Sequence, residues 1–228
     1  MRYAVFGTGV VGRTLAARLA GLGHDVVVGT RDPEHTLARA EADDRGNAPF
    51  AQWLAEHPSI SLDTFDAAAA GAETLVNTTA GGVTLEVLAA VAPAHLDGKV
   101  LIDIANPLDF SKGFPPSLEP VNTDSLGEQV QRAHPALRVV KTLNTMNCAI
   151  MVDPARVEGD HTVFLSGDDA DAKKSVTELL TSFGWQDRNI LDLGGIETAR
   201  GTEMLLPIWL RIMGSAGHAD FNFHIQGV

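Results

Sequence analysis

The chain opens on an apolar strand, a glycine turn and a helix, and few folds accept that order. Residues 3–6 are apolar, Gly7, Gly9 and Gly12 form G-x-G-x-x-G, and Val11, Leu15, Leu19 and Leu22 recur at helical spacing. A second apolar strand over 25–30 completes a strand–helix–strand unit. Each glycine then has a task. Gly7 permits the tight turn, Gly9 lets a pyrophosphate approach the backbone, and Gly12 lets the helix pack on the strand. Thr8, Gly9, Val10 and Val11 bring backbone N–H groups to the helix start, where the dipole favours an anion. The expected ligand is a dinucleotide.

The end of the second strand selects among dinucleotides. A free ribose 2'-hydroxyl is usually met there by Asp or Glu. Here Gly29-Thr30-Arg31 stands at that place. A guanidinium cannot accept a hydrogen bond but can fork onto a phosphate, and Thr30 can donate beside it. The pattern favours NADP(H) over NAD, with Asp32 open to a hydroxyl if the strand ends one residue later.

Strand and helix patterns alternate almost to the end, which predicts an α/β chain with a Rossmann-type, doubly wound, mainly parallel sheet. Strands are expected over 3–6, 25–30, 60–65, 74–78, 100–105 and 139–143. Amphipathic pieces at 34–43 and 48–56 are parted by 45–47, and crossover helices fall near 85–91 and 125–133. Residues 110–120, rich in Pro, Gly and Ser, read as a surface loop. A strand over 162–166, a helix over 170–183, a strand over 189–193 and a helical run over 196–215 make a small C-terminal α/β-helical extension. Pro207 should kink or split that run. The chain thus divides into an NADP-binding domain, 1–150, and an extension, 151–228, that closes a second-substrate site and supplies a dimer interface.

Loops after the strands collect at one sheet edge, where open α/β sheets bind ligands. Besides the glycine turn they bring Thr78, Thr79, Ala80, Asn106, Pro107, Asn144 and Met146, which are small or polar and uncharged. Such loops admit a nicotinamide without setting a fixed charge beside its ring. Asp103 reads as a polar group inside its strand. Lys141 reads either as a paired or snorkelling lysine or as a substrate anchor near the crevice.

Several classes are excluded. The formal net charge is −12 with no cluster of Lys and Arg, so neither nucleic acid nor an anionic membrane surface has an electrostatic footing. No apolar stretch is long enough to span a bilayer, and the first strand does not read as a signal sequence. Cys148 is the only cysteine, which rules out an intrachain disulfide and suits a reducing cytoplasm. Cys148 itself reads as a small buried residue. The eight histidines are scattered and suggest no metal site. Tyr3, the only tyrosine, lies in the first strand, so no Tyr-x-x-x-Lys proton-donating pair exists.

Gly7-Thr8-Gly9-x-x-Gly12, Gly29-Thr30-Arg31-Asp32, Ile104-Ala105-Asn106-Pro107 and Lys141-Thr142-Leu143-Asn144-Thr145 together resemble the NADPH-dependent coenzyme F420 reductases. Gly201-Thr202-Glu203-Met204 and Ala219-Asp220-Phe221-Asn222 extend the resemblance to the whole chain. It reaches the flavin-using reductase domains of membrane metalloreductases as well. The resemblance implies hydride transfer between nicotinamide C4 and C5 of a deazaflavin, or to FMN or FAD, with the rings stacked and little acid–base help from the protein. It also implies a homodimer, and it places His35 where archaeal members carry a basic residue beside the strand-two arginine.

The helical run is apolar on several faces through Met204, Leu205, Leu206, Ile208, Trp209, Ile212 and Met213, as a helix buried on both sides would be. The expected second-substrate pocket therefore joins Asn106, Pro107, Lys141 and Met146 to Leu206 and Trp209. Two rival functions remain open: an NADPH-dependent reductase of a small imine or ketone, and an NADP(H)-binding redox sensor without turnover. The first needs a proton donor, for which Lys141, Asp103 and the asparagines are the local candidates.

Overall fold

The computed structural model describes residues 1–42 and 46–227. In chain order the elements are β1 (Arg2–Phe6), α1 (Val10–Gly21), β2 (Asp25–Thr30), α2 (Pro33–Ala38), α3 (Phe50–Ala55), β3 (Ile60–Thr64), α4 (Phe65–Gly71) and β4 (Thr74–Asn77). They continue with α5 (Thr84–Ala89), β5 (Val100–Asp103), β6 (Leu108–Asp109), β7 (Ser117–Leu118), α6 (Leu126–Ala133) and β8 (Arg138–Thr142). The last are α7 (Cys148–Val152), β9 (Val163–Ser166), α8 (Ala170–Phe183), β10 (Ile190–Asp192), α9 (Ala199–Met204) and α10 (Leu206–Ala216).

Eight strands form one sheet in the order β10-β9-β8-β5-β4-β1-β2-β3. Neighbours run parallel except β8 and β9, which pair antiparallel. The central strands are buried along their length because helices cover both faces, as a parallel sheet requires. Val5, Leu15, Leu19, Val28, Ile150 and Val176 belong to the core on one face. Ala4, Phe6, Phe65, Leu88, Leu101 and Val130 belong to the other. Strand order reverses between β1 and β4, which puts the loops after these strands at the switch point. β9 and β10 join the same sheet, so the sequence-based division at residue 150 does not coincide with a break in it.

Element ends follow local chemistry. β3 stops at Thr64, one residue short of expectation, because Thr64 Oγ1 accepts the Ala67 N–H at 3.2 Å and starts α4. Asp32 caps α2, which ends at Ala38 rather than near 43, since Arg39 is already extended. Asp43 of the first expected piece and Arg45 of the stretch between the pieces lie outside the described residues. α8 has the expected bounds, set by the Asp169 cap at one end and by Gly184 at φ +110° at the other. Pro207 does split the C-terminal run. α9 ends at Met204, and Pro207 falls in the first turn of α10, where its missing N–H costs nothing. The loop over 110–120 carries one strand of a two-stranded antiparallel hairpin, β6 with β7.

Candidate dinucleotide site

The turn between β1 and α1 is built for a backbone that must be approached. Gly7 has φ +119°, and its N–H donates to the Gly29 carbonyl at 3.0 Å. A Cβ on Gly12 would overlap the Gly7 carbonyl oxygen, so only glycine lets α1 start this close. Gly9 differs from both. Its backbone (φ −73°, ψ 177°) suits any residue, and nothing stands within 4 Å of where its Cβ would be. No side chain caps α1, so the N–H groups at Val10, Val11 and Gly12 face that open space without a protein side-chain acceptor. Thr8 lies on the same turn, and its carbonyl accepts from Arg13 Nε at 2.9 Å.

Beside the turn, on the β2 side, lies a cavity of about 500 Å³ lined by Thr8, Gly9, Arg13, Thr36, Arg39 and Phe50 among others. Arg31, just past β2, has an exposed side chain whose Nη2 lies 3.1 Å from Glu86 Oε1 on α5. Thr30 departs from expectation. Its hydroxyl is buried and shares a hydrogen bond with Thr36 Oγ1 at 3.0 Å, so it braces α2 instead of pointing to solvent. Asp32 Oδ1 accepts the His35 N–H at 2.9 Å, which commits Asp32 to a helix cap and leaves His35 on the surface. Arg13 and Arg39 were missed in the sequence. Only the fold brings the end of α2 alongside the glycine turn.

At the other flank the loops after β4, β5 and β8 are tied together by uncharged groups. Thr78 Oγ1 donates to the Phe6 carbonyl at 2.7 Å and packs against the glycine turn. Thr79 Oγ1 donates to Asn77 Oδ1 at 2.7 Å. Ala80 precedes a short turn in which Gly81 lies so near the Asn106 carbonyl that a Cβ would overlap it. Asn106 Nδ2 donates to the Asn144 carbonyl at 2.7 Å, and Asn144 Nδ2 returns a bond to Asn106 Oδ1 at 2.9 Å. Pro107 follows, buried.

Lys141 is not a substrate anchor. Its side chain is fully enclosed, and Nζ lies 2.6 Å from Asp103 Oδ2, 2.8 Å from Glu203 Oε1 and 2.7 Å from the Ala105 carbonyl. These partners use all three of its donors. Burial is the largest single influence and pulls the ammonium down. The two carboxylates together outweigh it and hold Lys141 above the usual lysine range. Glu203 also accepts the Leu126 and Gly127 N–H groups at 2.9 and 3.1 Å, so the N-terminus of α6 shares in neutralising it. Asp103 Oδ1 accepts from Asn77 Nδ2 at 2.8 Å, which links this network to Thr79. Asn77 and Glu203 are both buried; Asn77 was not singled out in the sequence, and Glu203 was seen only as part of a motif, because their partners lie far along the chain.

The C-terminal segment folds back on the chain just after β8 and just before β9. Phe223 O accepts the Thr162 N–H at 2.7 Å, and Asn222 Nδ2 reaches the Thr162 carbonyl at 3.1 Å and Met146 Sδ at 4.0 Å. Phe221 stacks on Trp209 with ring centroids 5.3 Å apart. Trp209 and Leu206 are each 8% exposed, whereas Ile208 on the same helix is 49% exposed. The structure thus connects Met146 with Trp209 through the tail and removes Lys141 from the expected pocket. Among the described residues, no group of three or more His, Cys, Asp or Glu is placed to hold a metal, and no helix is long and apolar enough to cross a membrane.

Residues 2–107 match the model of a protein family described as NADP oxidoreductase coenzyme F420-dependent. A crystal structure designated a candidate F420-dependent NADP reductase from Arthrobacter sp. FB24 is 58% identical, covers 99% of both chains and superposes with a TM-score of 0.93. The F420-dependent NADP reductase of Methanothermobacter marburgensis is 29% identical over 93% of this chain and 92% of its own length. Metalloreductase STEAP3 of Rattus norvegicus is 28% identical over 91% of this chain, which spans 38% of that protein's length.

Proposed function

The chain belongs to the family of coenzyme F420-dependent NADP oxidoreductases, and from that premise we propose that it transfers a hydride between NADP(H) and a deazaflavin, coenzyme F420. That it is an NADP-dependent oxidoreductase follows from the family. The deazaflavin is the finer reading. The observation that carries it is the chemistry of the strand ends around Asn106 and Asn144. Carboxamides and hydroxyls line those loops, and Lys141 and Asp103 are sealed against each other with no exposed side-chain surface. A small imine or ketone would need a proton donor at this place, and its charged candidates are spent. A deazaflavin brings its own redox chemistry and asks the protein mainly for orientation.

The residues divide the work. Gly9 and the start of α1 accept the pyrophosphate, and Arg31 meets the 2'-phosphate, with Arg13 and Arg39 adding positive charge nearby and His35 on the same surface. The Asn106–Asn144 pair and the Thr79–Asn77 pair fix the loops that border the nicotinamide. Bound there, the nicotinamide supplies or receives the hydride. The surface made by the end of α9 and by α10, with Met204 38% and Ile208 49% exposed, is the face we assign to a homodimer. The single cysteine fits a cytoplasmic setting.

Anaerobic mixing with NADPH and, in turn, F420, FMN, FAD or riboflavin tests the reading by absorbance. We expect the deazaflavin band to bleach fastest. Reduction of a flavin with F420 left untouched would move the acceptor to the flavins, and reduction of neither would remove the proposal.

A further inference from the structure

We propose that Glu86 competes with the cofactor's 2'-phosphate for Arg31 and so sets how strongly the chain prefers NADPH to NADH, an inference that rests on the 2'-phosphate reading of Arg31. Strand order puts β4 and β2 on opposite sides of β1. Arg31 stands at the end of β2, and Glu86 stands in the first turn of α5, which follows the β4 loop. Their 3.1 Å ion pair therefore reaches from one flank to the other at the edge that carries the glycine turn.

An acidic residue in a first helical turn normally serves the helix itself. Here no side chain caps α5, and the Glu86 carboxylate is directed to Arg31 instead. The pair is well exposed, with 73% and 69% of the two side chains accessible, so it opens at little cost. A phosphate offers the guanidinium a two-pronged partner of higher charge than one carboxylate. NADPH thus displaces Glu86 from Arg31 and leaves a carboxylate close to the incoming phosphate. NADH, with a hydroxyl there, leaves the pair intact. Glu86 opposes NADPH and is indifferent to NADH.

Glu86→Gln removes the charge and keeps the size. Isothermal titration should show NADPH and adenosine 2',5'-bisphosphate binding about two- to fivefold tighter, the range expected for loss of one exposed charge pair. NADH affinity should not move, and in an Arg31→Ala background the gain should vanish. Unchanged or weaker NADPH binding, an equal gain for NADH, or a gain that survives Arg31→Ala would each overturn the role of Glu86 while leaving the parent reading intact. A wild type that binds NADH as tightly as NADPH would overturn both.

Discussion

Lys141 on β8 and Glu203 on α9 form an ion pair of 2.8 Å with both side chains out of reach of solvent. Asp103 on β5 completes the group at 2.6 Å. The three residues bind two central strands to the C-terminal helical unit, and they do so where α6 begins. Lys141→Met would leave two buried carboxylates without their cation. We expect a loss of about 3–5 kcal/mol of stability in urea unfolding, the cost of breaking a buried pair from one side. A change under about 1 kcal/mol would show that the network is looser than it stands here.

The same group has a pH signature. The folded state holds the Lys141 proton more tightly than the unfolded chain does. Its contribution is complete below the unfolded lysine value and is lost as pH rises through the higher folded value. Stability should therefore show no loss from Lys141 across neutral pH, with its share of the alkaline fall confined to above about pH 10. Lys141→Met should lack that share of the fall.

An acid limb is expected at Asp124. Arg132 forks onto it at 2.7 and 2.9 Å and, with Gln129 and the Ser125 N–H, brings its carboxyl down to about 2. The folded value lies below the unfolded one, so the stabilisation is whole above about pH 4 and fades as pH falls toward about 2. Asp124→Asn should flatten that slope in acid unfolding curves. Because the Arg132 side chain is 59% exposed, added salt should shrink the difference.

Gly9→Val separates folding from binding. The backbone at Gly9 accepts a β-branched residue and its Cβ would meet no neighbour, so thermal unfolding should stay close to wild type. NADPH binding should be lost, because the side chain takes the space the pyrophosphate needs. Normal fluorescence titration of NADPH by this variant would remove the glycine turn from the site.

What could be read in the sequence and what could not divide along a physical line. Gly7 and Gly12 were legible because their backbone roles depend on a few adjacent residues, and α8 was legible because Val176, Leu179, Leu180 and Phe183 make an apolar stripe at helical spacing. The position of Arg31 just past β2 was legible, whereas its ion-pair partner Glu86 was not. Lys141 remained ambiguous because its neutralisers sit on β5 and α9, and only strand register and helix docking bring them together. Thr30 was expected to face a phosphate and instead shares a hydrogen bond with Thr36 on α2, a partner the sequence reading did not single out. Phe221 was seen as part of a motif, but its stacking on Trp209 depends on the tail folding back.

For the proposed dimer, Ile208→Asp is the cleaner probe than a change at Leu206 or Trp209, which are buried within the chain. Light scattering at micromolar concentration should show wild-type dimers and Ile208→Asp monomers, with NADPH affinity within about twofold of wild type. A wild-type monomer would end the assignment of this face.

Arg31→Ala should weaken NADPH binding by tenfold to a hundredfold, about 1.5–3 kcal/mol for loss of a charge-assisted contact, and leave NADH nearly unchanged. Equal losses for both cofactors in calorimetry would assign Arg31 to the adenosine generally and not to the 2'-phosphate.

Direct hydride transfer is tested most sharply by isotope. NADPH deuterated at nicotinamide C4, in each of its two stereochemical forms, is mixed anaerobically with the protein and F420 in ordinary water, and the reduced deazaflavin is analysed by mass spectrometry. We expect one form to deliver its deuterium to C5 of the deazaflavin and the other to deliver none. Reduced deazaflavin carrying no deuterium from either form would contradict transfer between the two rings.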